Sequence, residues 1–372
     1  MDTKDQNQEL ELTSSGFMQP DTTMGPGLLE MSNAETAVVT LEEGTVPPGQ
    51  QEPKKSATPL QDSLRRLRRD KRAMVSLGII VLFIVVPLIG PVIYQHVGGT
   101  YQSTFYGPIS AQLYHNPFHQ ELDRQDEFIS GQYWLGTDAI GRDLLARLMQ
   151  GLLVSLAVAF LVEIVDIVLG VLVGVLAGFF GGWIDQLLAR FTDLMFAFPG
   201  LLFAILLTGI FGAEADTVLS NVPIIGPNGN ARLILVSLAL AFTAWPLMAR
   251  YVRGQTLQLK EQQFVEAART SGTSNARIIM RHIVPNLFSI VVVASTLNIA
   301  GTVIGEAGLS LLGLGVQQPG SSLGLMISEA TTLISTHPWE ILLPSLVLTL
   351  IVLAFSFLGD GLRDAFDPRS KD

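Results

Sequence analysis

The chain has 372 residues, 48% of them hydrophobic and only 15% charged, against about 25% charged in an ordinary soluble domain. Too few charges are present to cover a soluble fold of this length, and the absence of cysteine excludes disulfides, thiolate metal sites and cysteine nucleophiles. The formal charge of −10 belongs mainly to a tail, because the first 53 residues hold ten acids against the single base Lys4; it marks no binding face, and nothing basic enough for nucleic acid stands out.

The tail, residues 1–58, is rich in Gln, Glu, Thr, Pro and Gly and has no apolar period. It cannot bury enough surface to offset its ordering entropy and reads as a disordered acidic segment on the cytoplasmic side. A basic cluster follows, Arg65, Arg66, Arg68, Arg69, Lys71 and Arg72, and then the uncharged run Ala73–Tyr94. A hydrocarbon core of about 30 Å needs about 20 helical residues, so this run is long enough to cross. Lys and Arg stay on the cytoplasmic side of a span. Residues 59–94 therefore read as a basic segment and an uncleaved signal anchor, with the amino terminus inside.

Five more spans are predicted: Leu152–Phe180, Leu187–Phe211, Leu233–Met248, Leu287–Leu312 and Ile341–Leu358. Six crossings place the carboxyl terminus inside as well. In this orientation only Arg124, Arg142, Arg147 and Arg232 lie outside, and nineteen of the 23 Lys and Arg lie inside. The reverse orientation would invert that bias.

Residues 95–150 form the long outer loop. Near its end Ile140, Leu144, Leu145, Leu148 and Met149 share one helical face. Thr137 or Asp138 can cap the start, and Asp143 and Arg147 stand at i,i+4 in the favourable order. This predicts an amphipathic helix lying at the outer interface. Gly136 to Asp143 also spells G-x-x-x-x-G-R-D. A phosphate loop needs Lys followed by Ser or Thr, and neither is present, so nucleotide binding is rejected.

The most informative segment is the cytoplasmic loop 249–286, between spans four and five. Glu261 to Ser271 is made largely of helix formers. Gly272 suits the position after a helix end, where positive φ is needed. Thr273 or Ser274 can cap a second helix running to about His282, and Pro285 fits the opening turn of span five. Ala267 and Ala268 offer a flat face for close approach, with Glu266, Arg269, Arg277 and Arg281 around it. Two readings stand: a basic loop with ordinary caps, or a surface that docks on a second protein.

Glu266-Ala267-Ala268, Gly272 and Ile283-Val284-Pro285 resemble the EAA motif of ABC importer permeases, with Val284 where that family often has Leu. Further stretches are similar to the C-type permeases of dipeptide, oligopeptide and nickel importers. They are Leu135-Gly136-Thr137-Asp138 with Gly141-Arg142-Asp143, Ala177 to Trp183, Phe196 to Gly200, Glu306 to Gly315 and Leu358 to Pro368. Ser322-Leu323-Gly324 stands where the family usually has Ser-Trp-Gly. The resemblance covers residues 64 to 368. It implies an all-α polytopic membrane protein with the type I importer fold, and a transmembrane domain over 151–368. It also implies that Glu266, Ala267, Ala268, Gly272 and Pro285 couple the chain to an ATPase. The implied partners are a homologous B-type permease, two ATPase subunits that hold ATP and magnesium, an extracytoplasmic peptide-binding protein and the bilayer. This chain itself would hold no cofactor and no catalytic residue.

Three acids fall inside span patterns: Glu163, Asp166 and Glu306. A charge at mid-bilayer costs about 2.5 kcal/mol or more, so such residues face protein or water. One reading places them on the translocation path or gate, where Glu163 or Asp166 meets a peptide's amino end. The other makes them interhelical packing groups. Pro199-Gly200 and Pro246 read as kinks or packing sites. His337, beside Pro338 and Trp339, reads as a lone interfacial residue and not a metal ligand. The alternatives weighed for function are the same machine carrying nickel, a sugar-peptide or an opine, and an ion-driven secondary transporter with Glu163 and Asp166 as proton site. A membrane enzyme lacks any catalytic constellation.

Overall fold

The computed structural model describes residues 59–219 and 231–367. The acidic tail and Pro368 lie outside the described residues. Among the described residues, six helices are long and apolar enough to cross a membrane.

α1 (Pro59–Arg69) carries the arginine cluster. Asp70 then separates it from α2 (Lys71–Tyr94). The Asp70 carboxylate accepts from the backbone N–H groups of Arg72 (2.8 Å) and Ala73 (3.4 Å), which caps the first crossing helix. The next segment holds a small hairpin, β1 (Tyr101–Ser103) paired antiparallel with β2 (Gly107–Ile109), and the single turn α3 (Ala111–Tyr114). Ile109, Ala111, Tyr114 and Tyr133 form its own apolar centre. Burial pushes the Tyr133 phenol above its usual pKa range.

α4 (Leu144–Phe180) is the longest helix of this part of the chain, 37 residues. This corrects the predicted interfacial helix. Residues 136–143 are not helical; Asp143 is the N-cap, and Leu144, Arg147 and Met149 are buried in the first turns of the crossing helix. The predicted Asp143–Arg147 pair does not form. Asp143 spends its side chain on the N–H groups of Leu145 (2.8 Å) and Ala146 (3.1 Å), and Arg147 turns to Asp138 and Glu329.

α4 ends where Gly181 and Gly182 both take positive φ, 65° and 57°, a conformation open to glycine at little cost. α5 (Gly182–Ala197) and α6 (Gly200–Leu219) follow. The predicted span Leu187–Phe211 is thus two helices. Proline at 199 disfavours the helical conformation for the residue before it, and Phe198 is extended, with φ −74° and ψ 128°. The crossing element is α6. α5 is tied to α7 (Ala231–Leu259) by Arg253, whose Nε and Nη2 donate to the two Asp185 oxygens at 2.5 and 2.8 Å. The same guanidinium holds the Asp185 carboxyl below its usual pKa range. α7 runs on through Pro246 well past the predicted end at Met248.

α8 (Gln263–Thr270) and α9 (Asn275–Ile278) lead into α10 (Phe288–Leu311). The predicted second loop helix ends early. From Ile279 to Ile283 the chain widens into a π-helical stretch, and Val284–Leu287 tightens into a 3-10 turn. Pro285 supplies the reason: it has no N–H for the α-helical ladder, and its ring crowds the carbonyl four residues back. α11 (Leu323–Ala330) is a short buried helix, and α12 (Pro338–Phe366) closes the bundle.

α4 is the hub. It contributes to all three principal apolar clusters: Leu152 and Leu156 meet Ile80, Val303 and Ile351. Val175 and Phe179 meet Val252 and Ile278. Val158 and Val162 meet Ala204 and Val236. The outward faces of α2, α6 and α12 expose Leu82, Leu88, Leu206, Ile210, Leu342 and Leu346, the lipid-facing pattern of crossing helices. Spans alternate in direction. One end of the bundle, here called proximal, holds the start of α2, the ends of α4, α7 and α12, and the α8–α9 segment. The other, distal, end holds the hairpin, residues 121–143 and α11.

The seam between α4 and α7 is built on Gly170, Gly174 and Gly178. A Cβ at Gly174 would lie 2.6 Å from the Ala249 carbonyl oxygen, and one at Gly178 2.7 Å from Thr256 Cβ. Small residues four apart let two backbones approach, and close packing is the main force between helices in lipid. Gly174→Leu is expected to destabilise the protein by about 1–3 kcal/mol through overpacking. It should lower the thermal midpoint in detergent, whereas Gly254→Ala, with no atom within 4 Å of the added Cβ, should not.

Candidate functional site: the α8–α9 segment and the buried acids

The α8–α9 segment is anchored on one side and open on the other. Val265, Ile278, Ile283 and Leu287 are fully buried against Val175, Phe179, Met248 and Val252. Glu266, Ala267 and Gly272 are exposed, Ala268 is half-buried and Pro285 is exposed. The turn between the helices is the predicted glycine stop. Gly272 has φ +75°. Its N–H donates to the Arg269 carbonyl and that of Thr273 to the Ala268 carbonyl, both at 3.0 Å, the paired bonds of a Schellman ending. No atom lies within 4 Å of a Cβ built at Gly272, so glycine is required there by conformation and not by space. The Arg269 guanidinium lies 5.3 Å from the Phe179 ring centroid, a cation–π contact that ties α8 to the end of α4. A push on α8 therefore meets α4, α7 and the start of α10 together.

The acids occupy two separate interhelical sites. Glu163 and Asp166 on α4 both accept from the Asn298 side-chain amide on α10, at 2.8 and 2.9 Å. Glu163 Oε1 and Asp166 Oδ1 are buried with no hydrogen-bond partner among the described residues. Glu306 on α10 is 0% exposed. It accepts from Ser155 Oγ of α4 (2.7 Å) and Ser310 Oγ (2.6 Å). Ser322 Oγ at the start of α11 donates to Ser310 Oγ at 3.1 Å, and the Leu323 N–H reaches Ser155 Oγ at 3.3 Å. One carboxylate thus organises α4, α10 and α11. Gly324 lets α11 lie on α10, since a Cβ there would stand 2.6 Å from Ala307 Cα. Leu323, at the Ser-Trp-Gly position of the resemblance, is fully buried.

Sequence reasoning missed the polar core of the distal end. Asp138, expected as a cap, accepts from the N–H groups of Ile140 and Arg142, from Arg142 Nε (2.7 Å) and from Arg147 Nη1 (2.6 Å). Glu329 of α11 accepts from Arg142 Nη2 at 3.0 Å and forms an ion pair with Arg147 Nη2 at 2.8 Å. Asp143 also holds Tyr94 Oη (2.9 Å) and His115 Nδ1 (2.6 Å). The signal in the sequence was the glycine pair around the phosphate-loop decoy. Gly136 and Gly141 have φ of +84° and +74°, and a Cβ at Gly141 would overlap the Glu121 carbonyl. The pattern specifies a tight loop that delivers Asp138 and Arg142 inward.

A bundle of crossing helices around one long hub, with an exposed helical elbow between its fourth and fifth crossings, defines a multi-pass transport permease. The chain belongs to the family described as binding-protein-dependent transport system inner membrane component, whose model matches residues 170–372; the N-terminal TM domain of oligopeptide transport permease C matches residues 58–108. The glutathione transport system permease protein GsiD of Shigella flexneri serotype 5b (strain 8401) is 38% identical over 319 residues, 86% of this chain and 93% of the relative. The oligopeptide transport system permease protein OppC of Haemophilus influenzae (strain ATCC 51907 / DSM 11121 / KW20 / Rd) is 35% identical over 311 residues, 84% of this chain and 89% of the relative. An inward-facing structure of the MetNI methionine ABC transporter aligns at 20% identity with a TM-score of 0.45, over 60% of this chain and 96% of the other.

The Glu306 knot yields a direct test. Glu306→Ala strands the Ser155 and Ser310 hydroxyls, at about 1–3 kcal/mol each. It is expected to lower the thermal midpoint in detergent well below that of Glu306→Gln, whose carbonyl still accepts a hydroxyl. Equal midpoints for the two variants would remove the knot from the stability of the bundle.

Proposed function

We propose that this chain is the C-type permease of an ATP-driven importer of small peptides, coupled to its motor through α8. The observation that carries the reading is the α8–α9 elbow: Glu266, Ala267 and Gly272 face outward while Val265, Ile278 and Ile283 root the elbow in α4, α7 and α10. The family and the names of its relatives support peptide or glutathione as cargo.

In this reading ATP and magnesium reside on two partner ATPase subunits, and each permease meets one of them. A homologous B-type permease completes the pore, and an extracytoplasmic binding protein delivers the peptide. The proximal end is cytoplasmic. It carries the arginines of α1 together with Arg269, Arg277 and Arg281, as the positive-inside bias requires. Both termini then lie inside the cell.

Closure of the ATPases moves α8 as a rigid unit. Gly272 and the Schellman bonds keep α8 and α9 at a fixed angle, and the apolar roots pass the displacement to the crossing helices. Alternating access follows from the two arrangements of the permease pair. Glu163, Asp166 and Glu306 serve as interhelical groups, held by Asn298, Ser155 and Ser310, while the helices tilt around them.

Gly272→Val places a β-branched residue at positive φ, a strain of about 1–2 kcal/mol. It is expected to reduce ATP-dependent peptide uptake in proteoliposomes, and Glu266→Lys to release the ATPase on co-purification. Normal uptake and normal assembly in both variants would overturn the coupling role. Uptake by this chain alone without ATP would favour an ion-driven carrier instead. Asp166→Asn is expected to transport at the wild-type rate; loss of uptake from an assembled complex would place Asp166 on the peptide's path.

A further inference from the structure

The distal end holds a cluster that transport coupling does not use. Asp126 lies in the loop before α4, and His337 and Glu340 open α12. One oxygen from each acid and one ring nitrogen of His337 lie within 4.8 Å of one another. His337 Nδ1 approaches Asp126 Oδ2 at 3.8 Å. Glu340 is 3% exposed, and its Oε1 has no hydrogen-bond partner among the described residues. The same holds for Asp126 Oδ1 and His337 Nδ1.

Such an arrangement is costly without a cation. A buried polar atom left unpaired keeps its full desolvation penalty, larger when charged, and neighbouring carboxylates repel. The nearby Arg147 guanidinium is held by Asp138 and Glu329. The cluster is also positioned. The Asp126 N–H donates to the Asp138 carbonyl at 3.0 Å, which ties its loop to the polar core of the distal end. Trp339 walls one side, edge-on to His337 at 5.1 Å and to Phe128 at 4.9 Å.

The donor set selects the ion. One imidazole nitrogen with two carboxylates suits zinc; calcium prefers oxygen alone and copper(I) prefers sulfur. Donors around a tetrahedral zinc stand roughly 3.3 Å apart at bond lengths of about 2.0 Å. His337 Nδ1 and Asp126 Oδ2, at 3.8 Å, stand near that separation, and all three donors lie within 4.8 Å of one another. Three protein ligands leave a fourth position for water.

We propose that Asp126, His337 and Glu340 form a zinc site that staples the distal loop to the start of α12. In the orientation proposed above it faces the extracytoplasmic side, where the loop and α12 come together. The site is silent in the sequence because Asp126 lies far along the chain from the His337–Glu340 pair, and a single His-x-x-Glu pair does not by itself specify a metal site.

The test uses the full-length chain purified in detergent, stripped with chelator and titrated with zinc chloride by calorimetry. One zinc per chain is expected, and zinc should raise the thermal midpoint. His337→Ala and Glu340→Gln should each weaken binding about tenfold or more and abolish the thermal shift. Glu340→Gln keeps side-chain volume, so a folded, monodisperse variant is available even if His337→Ala misfolds. X-ray absorption should show an imidazole in an all-nitrogen-and-oxygen shell, lost in His337→Ala. No zinc binding by the wild type overturns the proposal. So does binding that survives both substitutions, which would mark the ion as adventitious and leave Asp126 and Glu340 as a carboxyl pair.

Discussion

The close approach of α4 and α7 is the constraint on which the rest of the bundle depends. Gly170, Gly174 and Gly178 bring the two backbones together, with Ala249 and Thr256 packed into the space that side chains would occupy. In lipid there is no hydrophobic force to hold helices side by side, so close contact must do it. Once α7 is seated, the remaining faces of α4 are free to meet α2, α6, α10 and α11, and all three principal clusters include it. The seam also ends at the proximal side, where Phe179 and Val252 receive the buried residues of α8 and α9. The helix that organises the crossing helices is thus the one that receives the elbow.

Polar groups inside the bundle follow from the same environment. With no water in the hydrocarbon region, each must find its partners in protein. Glu306 does so with Ser155 and Ser310, and Glu163 and Asp166 share Asn298. Every one of these contacts joins α4 to α10 or α10 to itself. They define where α10 sits along α4, which apolar packing alone leaves loosely specified. α10 is also the continuation of the α8–α9 segment, so its placement fixes where that segment is rooted.

Much of the fold was legible in the chain. Long uncharged runs announce crossings, and the stop at Gly272 was readable because only a residue without Cβ takes φ +75° cheaply. The errors have common physical causes. The residues around Ile140 to Met149 do have a helical apolar face, but Gly136 and Gly141 force a loop first, and the helix begins at Asp143 and descends into the bundle. Leu187–Phe211 is apolar throughout, yet Pro199 extends Phe198 and breaks it in two. The run to His282 keeps helical character, but Pro285 widens it into a π stretch. In each case the side-chain pattern set the expectation, and glycine or proline, through the backbone, set the outcome. The glycine seam was present as three glycines at a spacing of four, and it went unread because a period of small residues says nothing until a partner helix is known.

By itself the sequence determined the class: a helical membrane permease of a peptide-importer family, with a glycine-stopped helical elbow at Glu266 to Gly272. Those properties are local, since hydropathy, helix stops and short motifs are carried by neighbouring residues. Only the tertiary structure decided which acids share a partner, which face of α8 is rooted, and that Asp126, His337 and Glu340 meet at all. Those are relations between segments far apart in the chain. The packing of α4 against its neighbours settles them, and no local pattern of residue types encodes which helices will touch.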